Sequence, residues 1–344
     1  MRTNIKEIAE RTGVSIATVS RVMNNKGPVR DDTRRRILQM AKELNYKPNP
    51  FARGLSRKQT DTIGVILPEL NDEFFMEIIH GIDEEAHRNN RYLMVSSSHS
   101  ERNDMETIIE FMSSGRVDGV ILMAPTMQQD IYEIISKSKR PVVLLNSARE
   151  ANGVVSFGVD NFRGAFLVTA HLAGHNYKRI GMITGPELNI EANERFQGFK
   201  NALIEHDVEY NSDYVISGDF SSRTGYYGFL RLMNQSKKPE AIFMANDMMA
   251  LGAYEAARSA NICIPEDVAI AGFDDIFSGR VVTPRLTTIH TPVNELGSQA
   301  MKYLLKMINR EVDPGASYQA VLSPALVIGG SCGCQSKSIN TTIV

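Results

Sequence analysis

No run in this sequence approaches the ~20 consecutive apolar residues of a membrane helix, and its N-terminus has no continuous apolar stretch followed by a small-residue cleavage site. A cytoplasmic protein with no membrane partner is expected. Cysteine is scarce, with 3 in 344 residues, too few and odd in number for a disulfide framework. Cys332 and Cys334 stand together near an unpatterned tail, and no Cys or His at ligand spacing accompanies them or Cys263. All three are read as thiols kept reduced in the cytosol. The strings of common catalytic centres are absent as well: His-Glu-x-x-His, Gly-x-Ser-x-Gly, the phosphate loop Gly-x-x-x-x-Gly-Lys and, after the first strand, Gly-x-Gly-x-x-Gly. His171 and His175 lie four apart on one helix face but have no carboxylate-bearing motif beside them. They are read as surface or packing residues, and no enzyme activity, metal or cofactor is expected.

What is present is ordinary globular material, 42% hydrophobic and 23% charged, enough for two or three domains. The formal net charge of -2 conceals a division. Residues 1–60 hold 14 Lys/Arg against 5 Asp/Glu, and the remaining 284 hold 24 against 35. Such segregation describes a basic head suited to a polyanion and an acidic body that repels one.

In the head, Asn4 to Gly13 reads as one short helix, with Asn4 as N-cap, Glu7 as its capping-box partner and Gly13 as the stop. A second helix follows at once, capped by Ser15, with Val19 and Val22 turned toward Ile5, Ile8 and Ala9 of the first. Ile16, Ala17, Ser20 and Arg21 face away from that stripe. Two short helices joined by a Gly-containing turn under a basic excess have the form of a helix-turn-helix. A third helix is expected from about Asp32 to Asn45, with Ile37, Ala41 and Leu44 inward and Arg34, Arg35 and Arg36 in its first turns. Beyond the proline-punctuated Tyr46 to Pro50, the piece Phe51 to Lys58 is too short to be a stable isolated helix and is expected to order only on docking.

These residues resemble the DNA-binding region of the lactose-repressor/galactose-repressor family of bacterial regulators. The likeness rests on Gly13-Val-Ser-x-x-Thr18-Val-Ser-Arg-Val22, Leu44-Asn-Tyr46-x-Pro48-Asn49 and Ala52-Arg-Gly-Leu55. It implies that Ile16, Ala17 and Arg21 face the major groove, where Arg can pair bidentately with guanine, and that Leu55 is a hinge wedge that unstacks a minor-groove base step. The candidate DNA-contacting set is Ser15, Ile16, Ala17, Thr18, Ser20, Arg21, Asn24, Arg30, Arg53 and Leu55. The sequence departs from the family at Arg30, where a small N-cap for the third helix is common. Asp31 or Asp32 is therefore expected to supply the capping oxygen.

From Asp61 onward, continuous apolar runs alternate with helical segments: Ile63–Leu67, Tyr92–Val95, Val117–Met123, Val142–Leu145, Ile180–Ile183, Ala241–Met244 and Val268–Phe273. Such runs indicate parallel strands covered on both faces, hence an α/β body of doubly wound sheets. Ile63-Gly-Val-Ile-Leu-Pro-Glu-Leu-Asn-Asp-Glu73 is echoed by Ile180-Gly-Met-Ile-Thr-Gly-Pro-Glu-Leu-Asn-Ile-Glu191, 117 residues on, which is read as two lobes in series. The fold class expected is α/β, a small all-α helix-turn-helix head on a two-lobed, periplasmic-binding-protein-like body. The divisions expected are a head at 1–47, a hinge at 48–60 and a body at 61–344. Within the body, one lobe takes about 61–160 and 292–322, and the other about 161–290 and 325–335.

Open sheets bind ligands outside the carboxyl ends of their strands, which makes the cleft between the lobes the expected small-molecule site. Its candidates are Asn71, Phe74, Asn146, Arg195, Phe220, Asn246, Asp274 and Thr291. Amides, carboxylates and a guanidinium grip vicinal hydroxyls, and an aromatic face covers the apolar side of a sugar ring. The family resemblance extends through Ala245-Asn-Asp-Met-Met-Ala-Leu-Gly252, Gly272-Phe-Asp-Asp275 and Pro284-Arg-Leu-Thr-Thr-Ile289. It implies that Arg195, Asn246 and Asp274 hold effector hydroxyls while Phe220 stacks on the ligand. Competing readings make Asp247 and Asp275 helix caps, Arg195 half of an interlobe ion pair, and Phe74, Phe75 and Phe273 core residues. The partners expected are pseudo-palindromic double-stranded operator DNA, a small-molecule effector, and further copies of the chain as a dimer or tetramer. A solute-binding transport protein shares the body but has no use for a basic head.

Overall fold

The computed structural model describes residues 4–24, 27–46, 59–97, 115–123, 135, 138, 140–146, 153–313 and 317–334. The chain divides into two compact units, residues 1–61 and 62–344.

Among its described residues the first unit has three helices, α1 (Ile5–Thr12), α2 (Ile16–Met23) and α3 (Asp31–Glu43). Asn4 caps α1 by accepting from the amides of Lys6 and Glu7, and Gly13 closes it at a φ of 64°, a left-handed conformation that Gly adopts without steric cost. Glu7 does not complete a capping box. Its carboxylate reaches forward to Arg11 at 2.7 Å, the usual i, i+4 pairing of opposite charges on a helix. Ser15 caps α2, accepting from the Thr18 amide at 3.2 Å. Helix α3 starts at Arg30 with no side-chain cap, so the expected capping by Asp31 or Asp32 is not made. Both carboxylates lie inside the first turn, where they face the positive end of the helix dipole. Ile8, Ala9, Val19, Val22, Ile37 and Ala41 form the buried core, with Ile5 and Leu44 against it.

Among the described residues the second unit holds two parallel sheets. One has strand order β11-β5-β4-β3-β1-β2, from β1 (Thr62–Leu67), β2 (Tyr92–Ser97), β3 (Gly119–Met123), β4 (Val142–Leu145), β5 (Val155–Val159) and β11 (Tyr318–Leu322). Helices α4 (Glu73–Arg88) and α10 (Val293–Ile308) pack on it and on each other, burying Ile78, Ile82, Leu296, Met301 and Leu304. They approach so closely that a Cβ at Gly81 would collide with the Asn294 carbonyl, and one at Gly297 with that of Ile78.

The other sheet has order β7-β6-β8-β9, from β6 (Ile180–Ile183), β7 (Val215–Ile216), β8 (Ala241–Met244) and β9 (Ala269–Ala271). Helices α5 (Asn161–Gly174) and α6 (Ile190–Glu205) pair with each other, as do α7 (Ser222–Met233) and α8 (Asp247–Ala260). Phe199, Phe229, Phe243 and Phe273 fill the core between helices and sheet. A short helix α9 (Phe277–Val281) follows β9, and an antiparallel pair, β10 (Thr288–His290) with β12 (Ala325–Val327), is joined to the end of β9 by the bridges Ala271–Thr287 and Asp274–His290. The chain passes between lobes after β5, after β10 and after β11. In each sheet the strand order reverses beside its first strand, between β1 and β3 and between β6 and β8. Glu73 and Phe74, after β1, share a cavity wall with Asp274, after β9, and Thr291, after β10.

Candidate ligand cleft and nucleic-acid interface

Arg195, on α6, is 4% exposed and is the most highly connected of the candidate ligand residues. Its Nε donates to Asn161 Oδ1 at 2.9 Å and its Nη1 to the Ala245 carbonyl at 2.6 Å. Its Nη2 lies 3.5 Å from Asp274 Oδ1. The guanidinium sits 3.8 Å above the Phe273 ring centroid and 5.7 Å from that of Phe220. A guanidinium carries five N–H donors, so the two hydrogen bonds leave three, on the side that faces Asp274. Both ends of the Arg195–Asp274 pair belong to the second lobe, so the ion pair does not bridge the lobes. Asp274 lies just beyond β9 and Arg195 on α6 of the same sheet's cover.

The acceptors around this cation are poorly satisfied. Asn146 Oδ1 and Glu191 Oε1 are buried without a hydrogen-bond partner among the described residues, and Asp274 Oδ1 has its ion pair but no hydrogen bond. Burial raises the Glu191 carboxyl to about 7, with Arg195 opposing the shift. Burial likewise raises Asp274 well above the ordinary carboxylate range, again against Arg195, with Asp247, Asp72 and Glu191 adding to the rise. Buried polar groups are normally paired, and here three unbonded acceptor oxygens lie around one cation.

Backbone strain gathers here too. Asn146, Phe220, Asp274 and Asp275 have φ of 48°, 70°, 114° and 59°. Asn and Asp tolerate the left-handed region, but Phe does not, and 114° is unusual for any side chain. Phe220 is held by its own carbonyl, which accepts from Asn246 Nδ2 at 3.0 Å, and by a ring packed on Gly185, where a Cβ would collide with it. Thr291 is buried and donates to the Asp274 carbonyl at 3.2 Å, which places it as a brace for the strained residue. A cavity of about 560 Å³ opens on one side of the cleft with Phe74, Asp274 and Thr291 in its wall. Arg195, Asn146, Phe220 and Asn246 do not border it, and Asn71 is exposed.

Several competing readings resolve. Asn246 is the N-cap of α8, accepting from the Met249 amide at 3.0 Å, so Asp247 is not the cap. Asp247 is fully buried, and accepts from the Ile276 amide at 3.0 Å and from Thr288 Oγ1 at 2.6 Å. Asp275 is not a cap either. It pairs with Arg280 at 2.9 Å and contacts His290 Nδ1 at 3.0 Å. Phe273 is core and serves as the platform for Arg195, while Phe74 is buried edge-on against Phe75 at 5.3 Å. Asn161 and Glu191 were not among the sequence candidates. Both follow strand ends, at the starts of α5 and α6, and that position was the signal available.

In the head, Ile16, Ala17, Arg21 and Ser15 are exposed on or beside α2, while Thr18 and Ser20 are half-buried. Asn24 ends the helix and donates to the Ser20 carbonyl at 2.8 Å. Arg30 is exposed ahead of α3. Arg53 and Leu55 lie outside the described residues.

The reading of the C-terminal thiols requires correction. Cys332, Cys334, His171 and His175 converge, with their four ligand atoms all within 4.8 Å of one another. Cys332 and Cys334 therefore do have Cys and His neighbours near ligand distance.

Comparison with known proteins is direct. Residues 4–49 match the bacterial regulatory proteins of the lacI family, and residues 169–332 match the periplasmic binding protein-like domain. The HTH-type transcriptional repressor PurR of Haemophilus influenzae (strain PittEE) is 35% identical over 326 residues, covering 94% of this chain and 97% of that one. The chain belongs to the lacI family. The crystal structure of the lac repressor dimer bound to operator and the anti-inducer ONPF superposes with a TM-score of 0.83 at 27% identity, covering 96% of this chain and 99% of that chain. A complex of the transcriptional regulator CelR with cellobiose gives 0.72 at 26% identity, covering 96% and 100%. This lacI-family member is a DNA-binding transcription regulator with an effector-binding body, and not an enzyme or a transport protein. Among the described residues no helix is long and apolar enough to cross a membrane.

Proposed function

We propose that this regulator is a cytoplasmic repressor whose operator affinity is switched by a polyhydroxylated effector of the sugar class, bound between the lobes. The observation that carries the reading is the Arg195 hub. A buried guanidinium with three N–H donors outside its two hydrogen bonds stands beside Asn146 Oδ1, Glu191 Oε1 and Asp274 Oδ1, which accept no hydrogen bond, and alternating donors and acceptors are what vicinal hydroxyls require. The cellobiose bound to the similar CelR agrees with this class. Asn71, Phe74, Phe220, Asn246 and Thr291 complete the proposed pocket. Thr291 supports Asp274, and Asn246 supports Phe220.

The proposed working parts are a head at 1–47, a hinge at 48–60 and the two-lobed body from 61. Two chains associate through the body and present two heads to a pseudo-palindromic operator, as two-fold symmetry demands. Ser15, Ile16, Ala17, Thr18, Ser20, Arg21 and Asn24 read or approach the major groove, Arg30 and Arg53 meet phosphate, and Leu55 wedges the minor groove. The effector shifts operator binding by its differential affinity for two lobe arrangements.

The test is Leu55→Ala in the full chain, with operator binding measured against a scrambled duplex. Specific affinity is expected to fall at least about tenfold, ~1.4 kcal/mol, while non-specific binding stays within about twofold. Unchanged specific affinity in an intact dimer rejects the hinge mechanism. A thermal-shift screen of sugars, nucleosides and sugar phosphates, followed by operator titration with each hit, identifies the effector and the sign of its coupling.

A further inference from the structure

At the far end of α5 from the cleft, the His171, His175, Cys332 and Cys334 side chains point at one another. His171 Nε2 lies 3.3 Å from Cys332 Sγ and 3.7 Å from Cys334 Sγ, and His175 Nε2 lies 3.3 Å from Cys334 Sγ. A tetrahedral zinc ion with Zn–S of about 2.3 Å and Zn–N of about 2.0–2.1 Å sets N···S edges of roughly 3.5 Å. These three separations bracket that value, and all four ligand atoms lie within 4.8 Å of one another. We propose that these four side chains form a Cys2His2 metal site that holds one Zn(II) ion per chain and fastens the C-terminal segment to α5.

The residues are arranged for this independently of any ion. His171 sits in the last turn of α5 and His175 is its C-cap residue, four apart and therefore on one side of the helix. Their rings meet edge to face, with centroids 4.9 Å apart. The two cysteines flank Gly333, whose φ of 93° is open to Gly, and a Cβ there would crowd the Tyr177 hydroxyl at 2.7 Å. That turn directs both thiols toward the histidines. Tyr177 supports both halves of the site. Its hydroxyl donates to the Cys332 carbonyl at 3.1 Å, and its ring stacks on His175 at 5.9 Å. The segment leading in is anchored by Ser331, whose hydroxyl donates to the Ile270 carbonyl at 2.6 Å and accepts from the Thr287 amide at 2.8 Å. These contacts fix the backbone that carries both thiols.

The donor set selects the ion. Two thiolates and two imidazoles in a tetrahedron suit zinc and exclude the hard oxygen-seeking cations. Four protein ligands leave no open position, so the site is structural rather than catalytic. On binding, each cysteine S–H loses its proton to solvent and each sulfur donates an electron pair to the metal. No electron is transferred, and the ion stays divalent.

The test uses full-length protein made without a metal-affinity tag and kept reduced. Metal analysis of the purified chain is expected to give about one zinc per chain. Titration of the stripped protein with Co(II) is expected to give the intense d–d and thiolate charge-transfer absorption of a tetrahedral sulfur-ligated ion. Cys334→Ser and His175→Gln are each expected to weaken Co(II) and Zn(II) affinity at least tenfold, with Cys263→Ser unchanged. Far-UV circular dichroism reports whether each variant is folded, and the wild-type titration decides the matter alone if a variant is not. The proposal is overturned if the reduced wild-type chain takes up no Co(II) or zinc at micromolar concentration, or shows no thiolate charge-transfer band. It is equally overturned if folded Cys334→Ser and His175→Gln proteins bind as tightly as wild type.

Discussion

Arg195 ties together the second lobe's side of the cleft by its three contacts to Asn161, Ala245 and Asp274, and its loss therefore has two separable effects. Arg195→Met leaves the Asn161 and Ala245 oxygens without a donor and is expected to lower body stability by about 3–5 kcal/mol in urea denaturation. Effector affinity should fall at least about 100-fold by calorimetric titration, ~2.7 kcal/mol. Asp274→Asn is expected to cost less stability, because burial already holds that carboxyl well above its ordinary range. Glu191 gives the cleft a pH response. Its folded value is about 7 against 4.5 for the free side chain, so between those limits the folded state holds more protons than the unfolded chain. Its contribution to stability is therefore fully present below about pH 4.5 and is lost as pH rises toward 7, by at most ~1.4 kcal/mol per pH unit. Glu191→Gln should flatten that part of the stability profile, as measured by chemical denaturation at a series of pH values. An unaltered slope shows that other groups set it.

At the scale of elements, the two lobes touch across the cleft through α4 and α9. Glu73, in the first turn of α4, accepts from the Ser278 amide at 3.1 Å and also from the Ser278 hydroxyl. Ile276, in the turn before α9, adds an apolar contact by packing into the core of the first lobe. Ser278→Ala removes the hydroxyl donor and keeps the amide, a change of about 0.5–1.5 kcal/mol. If the effector acts by drawing the lobes together, this variant should shift effector affinity by two- to tenfold with operator affinity in the absence of effector little changed. An equal shift in both would place the contact outside the switch. Element scale is also where sequence reasoning was strongest. β4, β6 and β8 occupy the segments expected from their apolar runs, Val142–Leu145, Ile180–Ile183 and Ala241–Met244. β5, β7, β10, β11 and β12 were not anticipated. β7 is two residues long, and β10 and β12 three each, too short to show a period.

For the whole molecule, the charge division is the governing feature: 14 basic against 5 acidic residues in 1–60, and 24 against 35 in the rest. The boundary between compact units at Asp61 falls at the same place. Limited proteolysis near Asp61 should separate a basic fragment that binds DNA from an acidic one that binds effector. Binding by the intact protein should weaken with salt at a logarithmic slope of about -0.9 per phosphate neutralised. An acidic fragment that retains operator DNA by gel shift contradicts the division.

The sequence by itself determined what depends on neighbours along the chain. The caps at Asn4 and Ser15, the stop at Gly13, the valine stripe of α2 and the buried parallel strands all follow from spacing and local hydrogen-bonding chemistry. It also placed Arg195, Phe220, Asn246 and Asp274 at strand ends or on the helices that follow them. Only the tertiary structure gave their contacts, because partners in the cleft are far apart in sequence: Arg195 meets Asn161 across 34 residues and Ala245 across 50. The same reason hid the convergence of His171 with Cys332, 161 residues away. No local pattern records such a pairing. It comes into being when α5 and the returning C-terminal segment pack against the same lobe.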